Sequence, residues 1–157
     1  MKLWNTRKET FEEGIIEVMA KEDYPKIKKS DQFQFDWSRE KKNLVFKISK
    51  KNEEAIIGLI SLIDFPKELR IEIHLLEISK NNIGKNKIID RLAGCLIAYA
   101  CSLAFQKDYD GFVSLISKTE IVKLYKEKYG FHERGNHLFS QLHNSNSLIN
   151  EYLNDEK

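Results

Sequence analysis

Residues Ile88–Phe105 form a long run of helix formers with almost no polar side, and this run constrains the fold more than any other feature. A helix that is apolar around its circumference must be buried between other elements. Its most apolar part, Leu92–Phe105, is 14 residues long, too short for a bilayer, which needs about 20. The run therefore reads as a core helix and not as a membrane span. The chain has 157 residues, 41% hydrophobic and 32% charged, the balance of a globular rather than a disordered protein. That length suits a single domain over residues 1–157, long enough for a sizeable core.

The segments around this helix read as a sheet. Leu44–Ser49 and Ala55–Ile63 are β-rich and separated by Lys50–Glu53, a hairpin signal. Phe65-Pro66 ends the second run. Arg70–Ser79 alternates, with Ile71, Ile73, Leu75 and Glu77 on one face and Glu72, His74, Leu76 and Ile78 on the other. Neither face is fully polar, which suits a central strand. Gly111–Ile116 is a further strand. Ser117 and Glu120 have capping-box spacing before a helix over Thr119–Lys128, which Gly130 closes. Phe131–Gln141 reads as two short strands about Gly135-Asn136, and Ser147–Leu153 as a final helix. Residues 10–20 read as a first helix, from apolar positions 11, 15, 16, 18 and 19. Asp31–Ser38 is either a short strand or an aromatic-lined loop. The whole is an α/β domain around a single sheet.

Lys and Arg number 26 against 24 Asp and Glu, a net charge of +2, so no basic arm for nucleic acid is expected. The N-terminal residues lack the apolar run of a signal peptide. Cys95 and Cys101, six apart on a helix, lie about 9 Å apart in rise alone, beyond disulfide reach. Both read as buried thiols, and a cytoplasmic location follows. The three histidines His132, His137 and His143 lack the partners of a zinc site, so no metal is expected.

Residues 71–92 hold the strongest chemical signal. A strand enters a short loop with Gly84, and the loop opens the long helix. Free N–H groups at a helix start bind anions, and a glycine lets the backbone approach a phosphate. Lys80, Lys85 and Lys87 add positive charge there. The signatures of P-loops and dinucleotide-binding turns are both absent.

With this loop, the order of elements resembles the GNAT N-acetyltransferases. Their coenzyme-A loop reads Gln/Arg-x-x-Gly-x-Gly/Ala. This chain reads Asn81-Asn82-Ile83-Gly84-Lys85-Asn86, matching only the central glycine. A later Leu-Tyr-x-Lys-x-Gly-Phe signature resembles Leu124-Tyr125-Lys126-Glu127-Lys128-Tyr129-Gly130-Phe131, one residue longer between Tyr and Gly. Glu72-Ile73 followed by Ile78-Ser79 is similar to the strand before the loop in histone-type members. The resemblance spans residues 42–141.

It implies a central mixed sheet, mostly antiparallel, flanked by helices. It also implies acetyl-CoA as cosubstrate, lodged between strands 71–79 and 111–116. Pantetheine would pair with backbone near Leu76 and Ile78, and pyrophosphate with the N–H groups of Ile83–Lys87, with Asn81 in the Gln/Arg position and Asn86 in that of the second glycine. Asparagine tolerates the φ > 0 a glycine would adopt. Glu72 is the first candidate for the base and His74 the second. Tyr125 is the candidate proton donor to the thiolate, although spacing from Gly130 points to Lys126. Either a bulge restores Tyr125 or it is a core aromatic. Phe33, Asp36 and Trp37 would line the pocket of a small-molecule or peptide amine, and a homodimer is compatible with the fold. The alternative is a GNAT-like CoA-binding or protein-interaction module with impaired catalysis.

Overall fold

A computed structural model describes residues 1–154. Strands β1 (Lys2–Asn5) and β2 (Thr10–Val18) open the chain, followed by helix α1 (Asp23–Ser30) and a 3-10 turn, Trp37–Glu40. Strands β3 (Leu44–Lys50), β4 (Gly58–Phe65) and β5 (Arg70–Ile78) come next. After a loop come β6 (Ile89–Asp90), helix α2 (Leu92–Gln106), β7 (Val113–Ile116) and α3 (Thr119–Tyr129). The ribbon β8 (His132–Arg134) and β9 (His137–Ser140) precedes α4 (Leu142–Tyr152). The described strands form one mixed sheet in the order β6-β1-β2-β3-β4-β5-β7-β9-β8. The β5–β7 pair is parallel and the other pairs are antiparallel.

Helix α2 is as enclosed as its composition requires. Cys95, Leu96, Ala98, Ala100, Cys101 and Ala104 are 0% exposed. They pack with Ile48, Ile60, Leu62, Ile71 and Ile73 from the sheet and Leu148 and Tyr152 from α4. On the opposite sheet face, Ile27 of α1 and Trp37 cover Val45 and Leu59. Both cysteines are buried and form no disulfide with each other, and burial pushes the Cys101 thiol up to about 12. No helix among the described residues is long and apolar enough to cross a membrane.

Four sequence expectations change. Residues 10–18 are strand β2, not a helix: Gly14 faces β1, where a Cβ would stand 2.9 Å from Leu3. The long helix begins at Leu92, not at residue 88. Ile89 and Asp90 join the sheet edge beside β1, and Arg91 turns the chain at φ +78°. No capping box forms at Ser117, whose N–H bonds the Asn136 carbonyl as an extension of the β7–β9 pairing; Lys118 precedes the helix instead. The last helix starts at Leu142, five residues earlier than the expected Ser147. Asp31–Ser38 resolves to the aromatic-lined loop, leading into the 3-10 turn.

Candidate functional site

The site is built where β5 and β7 part. They are in register at Ile71 and Val113, and at Glu72 and Ser114, and nowhere beyond. From there on, β5 keeps β4 on one side, and its other edge has no partner strand among the described residues. Ser79 N–H bonds the Ile57 carbonyl on the β4 side at 3.0 Å. Alternation along the strand then turns the N–H groups of Leu76 and Ile78 toward the open edge.

A β-bulge sets the side chains. Ser61 pairs with Leu75 and Leu62 with Ile73, so His74 is the extra residue. The bulge shifts the alternation expected from the sequence. Leu76 and Ile78 join Ile73 on the α2 face, and Leu75 packs on the α1 face. His74 is lifted out of the ladder. Its Nδ1 lies 2.6 Å from Oε1 of Glu40, the last residue of the 3-10 turn. The imidazole is 46% exposed and the Glu40 carboxyl 8% exposed. Burial pushes the Glu40 pKa up. Hydrogen bonds from His74, Ser61 and Asn43 outweigh that and hold it below the ordinary carboxylate value.

Glu72 is buried, and its Oε1 is taken by the Arg70 guanidinium at 3.1 Å. The same Nη1 donates to Ser114 Oγ at 2.9 Å, bridging the strands at the point of separation. Arg70 also lies over the Phe65 ring at 4.0 Å. The structure therefore holds Glu72 within a crosslink between β5 and β7.

Tyr125 sits in the main core with its ring 5.7 Å from Tyr129 and 5.2 Å from Phe131. Burial pushes its pKa up to about 12. Its hydroxyl has no hydrogen-bond partner among the described residues, yet no buried side-chain oxygen there lacks one, so the hydroxyl reaches the surface. The longer Tyr-to-Gly spacing is absorbed in the helix end: Gly130 at φ +70° and Phe131 both donate to the Tyr125 carbonyl. Lys126 points away to Glu133 at 3.5 Å.

The loop after β5 differs from expectation. Asn81 N–H bonds Gln32 Oε1 at 3.1 Å, and Asn82 bonds Ser79 Oγ and the Ile89 N–H. Gly84 has φ +76° and a Cβ there would meet nothing within 4 Å, so the position demands glycine for conformation and opens on space. Asn86 has no positive φ; between Gly84 and α2 the positive φ falls on Arg91. Because α2 starts at Leu92, the amides of Ile83–Lys87 belong to a loop and not to a helix N-terminus. Those of Ile83, Gly84, Lys85 and Asn86 have no partner among the described residues. The helix start itself is met by Asp90, whose Oδ1 accepts the Arg91 N–H at 2.8 Å and pairs with Lys87 at 3.3 Å. Burial raises the Asp90 pKa, and Arg91, Lys87 and Lys128 together bring it below the ordinary value. Lys80 faces Asp31 at 3.7 Å.

The aromatic loop is stitched to β5. Glu77 accepts from Gln34 N–H at 2.6 Å, Phe35 N–H at 3.3 Å and Trp37 Nε1 at 2.8 Å. Trp37 is buried in the smaller core with Phe33 against it, and Asp36 caps the 3-10 turn through the Ser38 N–H. These residues border a cavity of about 460 Å³. Glu40 and Glu77 escaped the sequence reading, since neither stands in a motif.

No family profile and no curated protein matches the sequence. Solved structures do match in fold. A spermidine N-acetyltransferase from Vibrio cholerae, in a dodecameric structure, superposes with TM-score 0.59 at 16% identity, over 92% of this chain and 99% of that one. AtaTR bound with AcCoA gives 0.60 at 14%, over 87% and 98%. N-acetylglutamate synthase from Neisseria gonorrhoeae, complexed with coenzyme A and L-arginine, gives 0.62 at 12%, over 87% of this chain and 36% of that one. The mixed sheet with its flanking helices is the fold of the GNAT acetyltransferases.

Proposed function

We propose that the chain is an acetyl-CoA-dependent N-acetyltransferase acting on an amine, small-molecule or peptide, within a ternary complex. The observation that carries the reading is the open edge of β5 beyond Glu72, with a carboxylate-bound histidine at its bulge. The fold supports it, as do the acetyl-CoA and coenzyme A bound in two of the neighbours. The residues present suit that cosubstrate. The N–H groups of Leu76 and Ile78 face the open edge, where they pair with an extended amide chain and polarise a thioester carbonyl. The free amides of Ile83–Asn86, with Lys85, suit a diphosphate. Acetyl-CoA supplies an activated acetyl thioester when bound.

The protein's own part is to hold and deprotonate the amine. A primary amine is mostly protonated near neutral pH, with a pKa around 10. Glu72 is occupied by Arg70. His74 presents a half-exposed ring and is assigned the proton acceptor. His74 Nε2 takes one proton from the ammonium, the freed nitrogen lone pair bonds to the acetyl carbon, and the carbon–sulfur bond breaks as the nitrogen's second surplus proton passes to the departing thiolate. Tyr125, protonated throughout the physiological range, donates a hydrogen bond to the departing thiolate and can relay that second proton to it, ending the cycle as a phenol. Phe33, Asp36 and Trp37 frame the acceptor side.

Thiol release from acetyl-CoA across a panel of amines tests this. Wild type should show amine-dependent release. His74→Gln should lose on the order of 10²–10⁴-fold in kcat, with Tyr125→Phe also impaired. Amine-independent rates, or equal rates in all forms, would refute the reading.

A further inference from the structure

We infer that Glu40 is a positioning residue that holds His74 in the Nδ1–H tautomer and thereby makes Nε2 the proton acceptor. The assignment of His74 as base rests on the proposed acetyltransfer; the tautomer rests on geometry alone. Glu40 Oε1 stands 2.6 Å from His74 Nδ1. Hydrogen bonds keep Glu40 in its ionised form, which only accepts. A neutral imidazole carries one N–H, so the proton at this contact sits on Nδ1. Nε2 is left with its lone pair on the half-exposed ring.

Other neighbours reinforce the arrangement. Asn43 Nδ2 donates to Glu40 Oε1 and to Ser61 Oγ, both at 3.3 Å. The carboxylate is thus fixed from the segment before β3 and from β4, while His74 comes from β5. Glu40 is buried, so its negative charge acts on the ring with little screening. When Nε2 takes the amine proton, the resulting imidazolium rests against that charge, and Glu40 stays unprotonated. The proton leaves His74 to solvent after product departs, and nothing is oxidised or reduced.

The topology adds a consequence. Glu40 ends the segment whose start is clamped by Glu77. Two carboxylates, one on each side, tie the acceptor loop to β5: the strand's Glu77 holds the loop, and the loop's Glu40 holds the strand's His74. Half of the proton-accepting pair therefore belongs to the loop that frames the acceptor. Order in that loop and competence of the base are linked.

Long-range nitrogen–proton NMR of the four histidines, assigned with His74→Gln, tests the inference. At a pH where His74 is neutral, wild type should show the Nδ1–H tautomer. Glu40→Ala removes the carboxylate acceptor at Nδ1 and leaves the Asn43 amide donor beside the ring, so the Nδ1–H preference should be lost in favour of Nε2–H. Its kcat should fall on the order of 10²–10⁴-fold, with KM for acetyl-CoA unchanged. Asn43→Ala should keep the tautomer. An Nε2–H tautomer in wild type overturns the inference whatever the activity, as does an unchanged tautomer in Glu40→Ala. Absent amine-dependent release in wild type overturns the acetyltransferase reading instead, and with it the role of Nε2 but not the tautomer.

Discussion

Removing Glu77 should loosen the aromatic loop without unfolding the domain. In Glu77→Ala, three donors lose one carboxylate. The backbone N–H groups of Gln34 and Phe35 are exposed enough for water to replace it. The indole N–H of Trp37 is not so fortunate, since that residue is 2% exposed. A buried donor left unmatched costs about 1–3 kcal/mol. The exposed pair adds a fraction of that, giving about 2–3 kcal/mol in all. With a urea m-value of about 2 kcal/mol/M, the midpoint should fall by about 1 M or slightly more. Glu77→Gln keeps an acceptor for the indole but loses the charge and faces Gln34 with a donor, so about half the effect is expected. Amide exchange should accelerate at Gln34 and Phe35 and leave β3 and β4 unchanged. The KM for the amine should rise more than that for acetyl-CoA. An unchanged midpoint with unchanged exchange at Gln34 and Phe35 would refute the clamp.

Other perturbations probe different parts. Gly94→Ala should destabilise, because its Cβ would fall inside the Tyr152 ring, which is held by Arg91 and Tyr129. Overpacking of about 1–3 kcal/mol, less about 1 kcal/mol of helix propensity, leaves a melting-temperature loss of several degrees. A gain in melting temperature would contradict the close α2–α4 approach. Burial pushes the Asp23 pKa up, but the Lys47 hydrogen bond and the Ala20 N–H leave it below the ordinary value. A depressed native pKa contributes stability above the unfolded value near 3.9, lost as pH falls through the native value. The melting-temperature gap between wild type and Asp23→Asn should therefore be widest near neutrality and shrink below about pH 4; a constant gap would argue against the pair. Asp90→Asn removes a negative charge from the α2 start and frees Lys87. Acetyl-CoA should bind about 2–5-fold tighter by calorimetry, and weaker binding would show that Asp90 plays another part.

The hairpin of β3 and β4 was legible because its apolar residues are continuous and its turn is polar. Gly130 was legible because a left-handed helix end favours glycine. In β2 the adjacent Ile15 and Ile16 blur the alternation, and the reason for Gly14 lies in Leu3 of a different strand. The start of α2 was hidden because Ile89 and Asp90 look helical until β1 offers them a sheet edge. One extra residue at His74 reversed the facing of everything after it, and a bulge leaves no compositional mark. The partners of the two β5 candidates were unequally legible: Glu72 meets Arg70 two residues away on the same strand, whereas His74 meets Glu40, 34 positions away, which no spacing rule reaches. A buried carboxylate in a 3-10 turn looks like any other acidic residue until the fold closes over it.

Acetyl-CoA titrated into isotope-labelled protein, followed by backbone amide shifts, tests the central claim most directly. Saturable shifts should appear at Leu76 and Ile78 on the open edge of β5 and at Ile83–Asn86, with β2 and β3 silent. A titration to millimolar concentration that moves no amide, or moves only residues away from the β5–β7 separation, would contradict acetyl-CoA binding there.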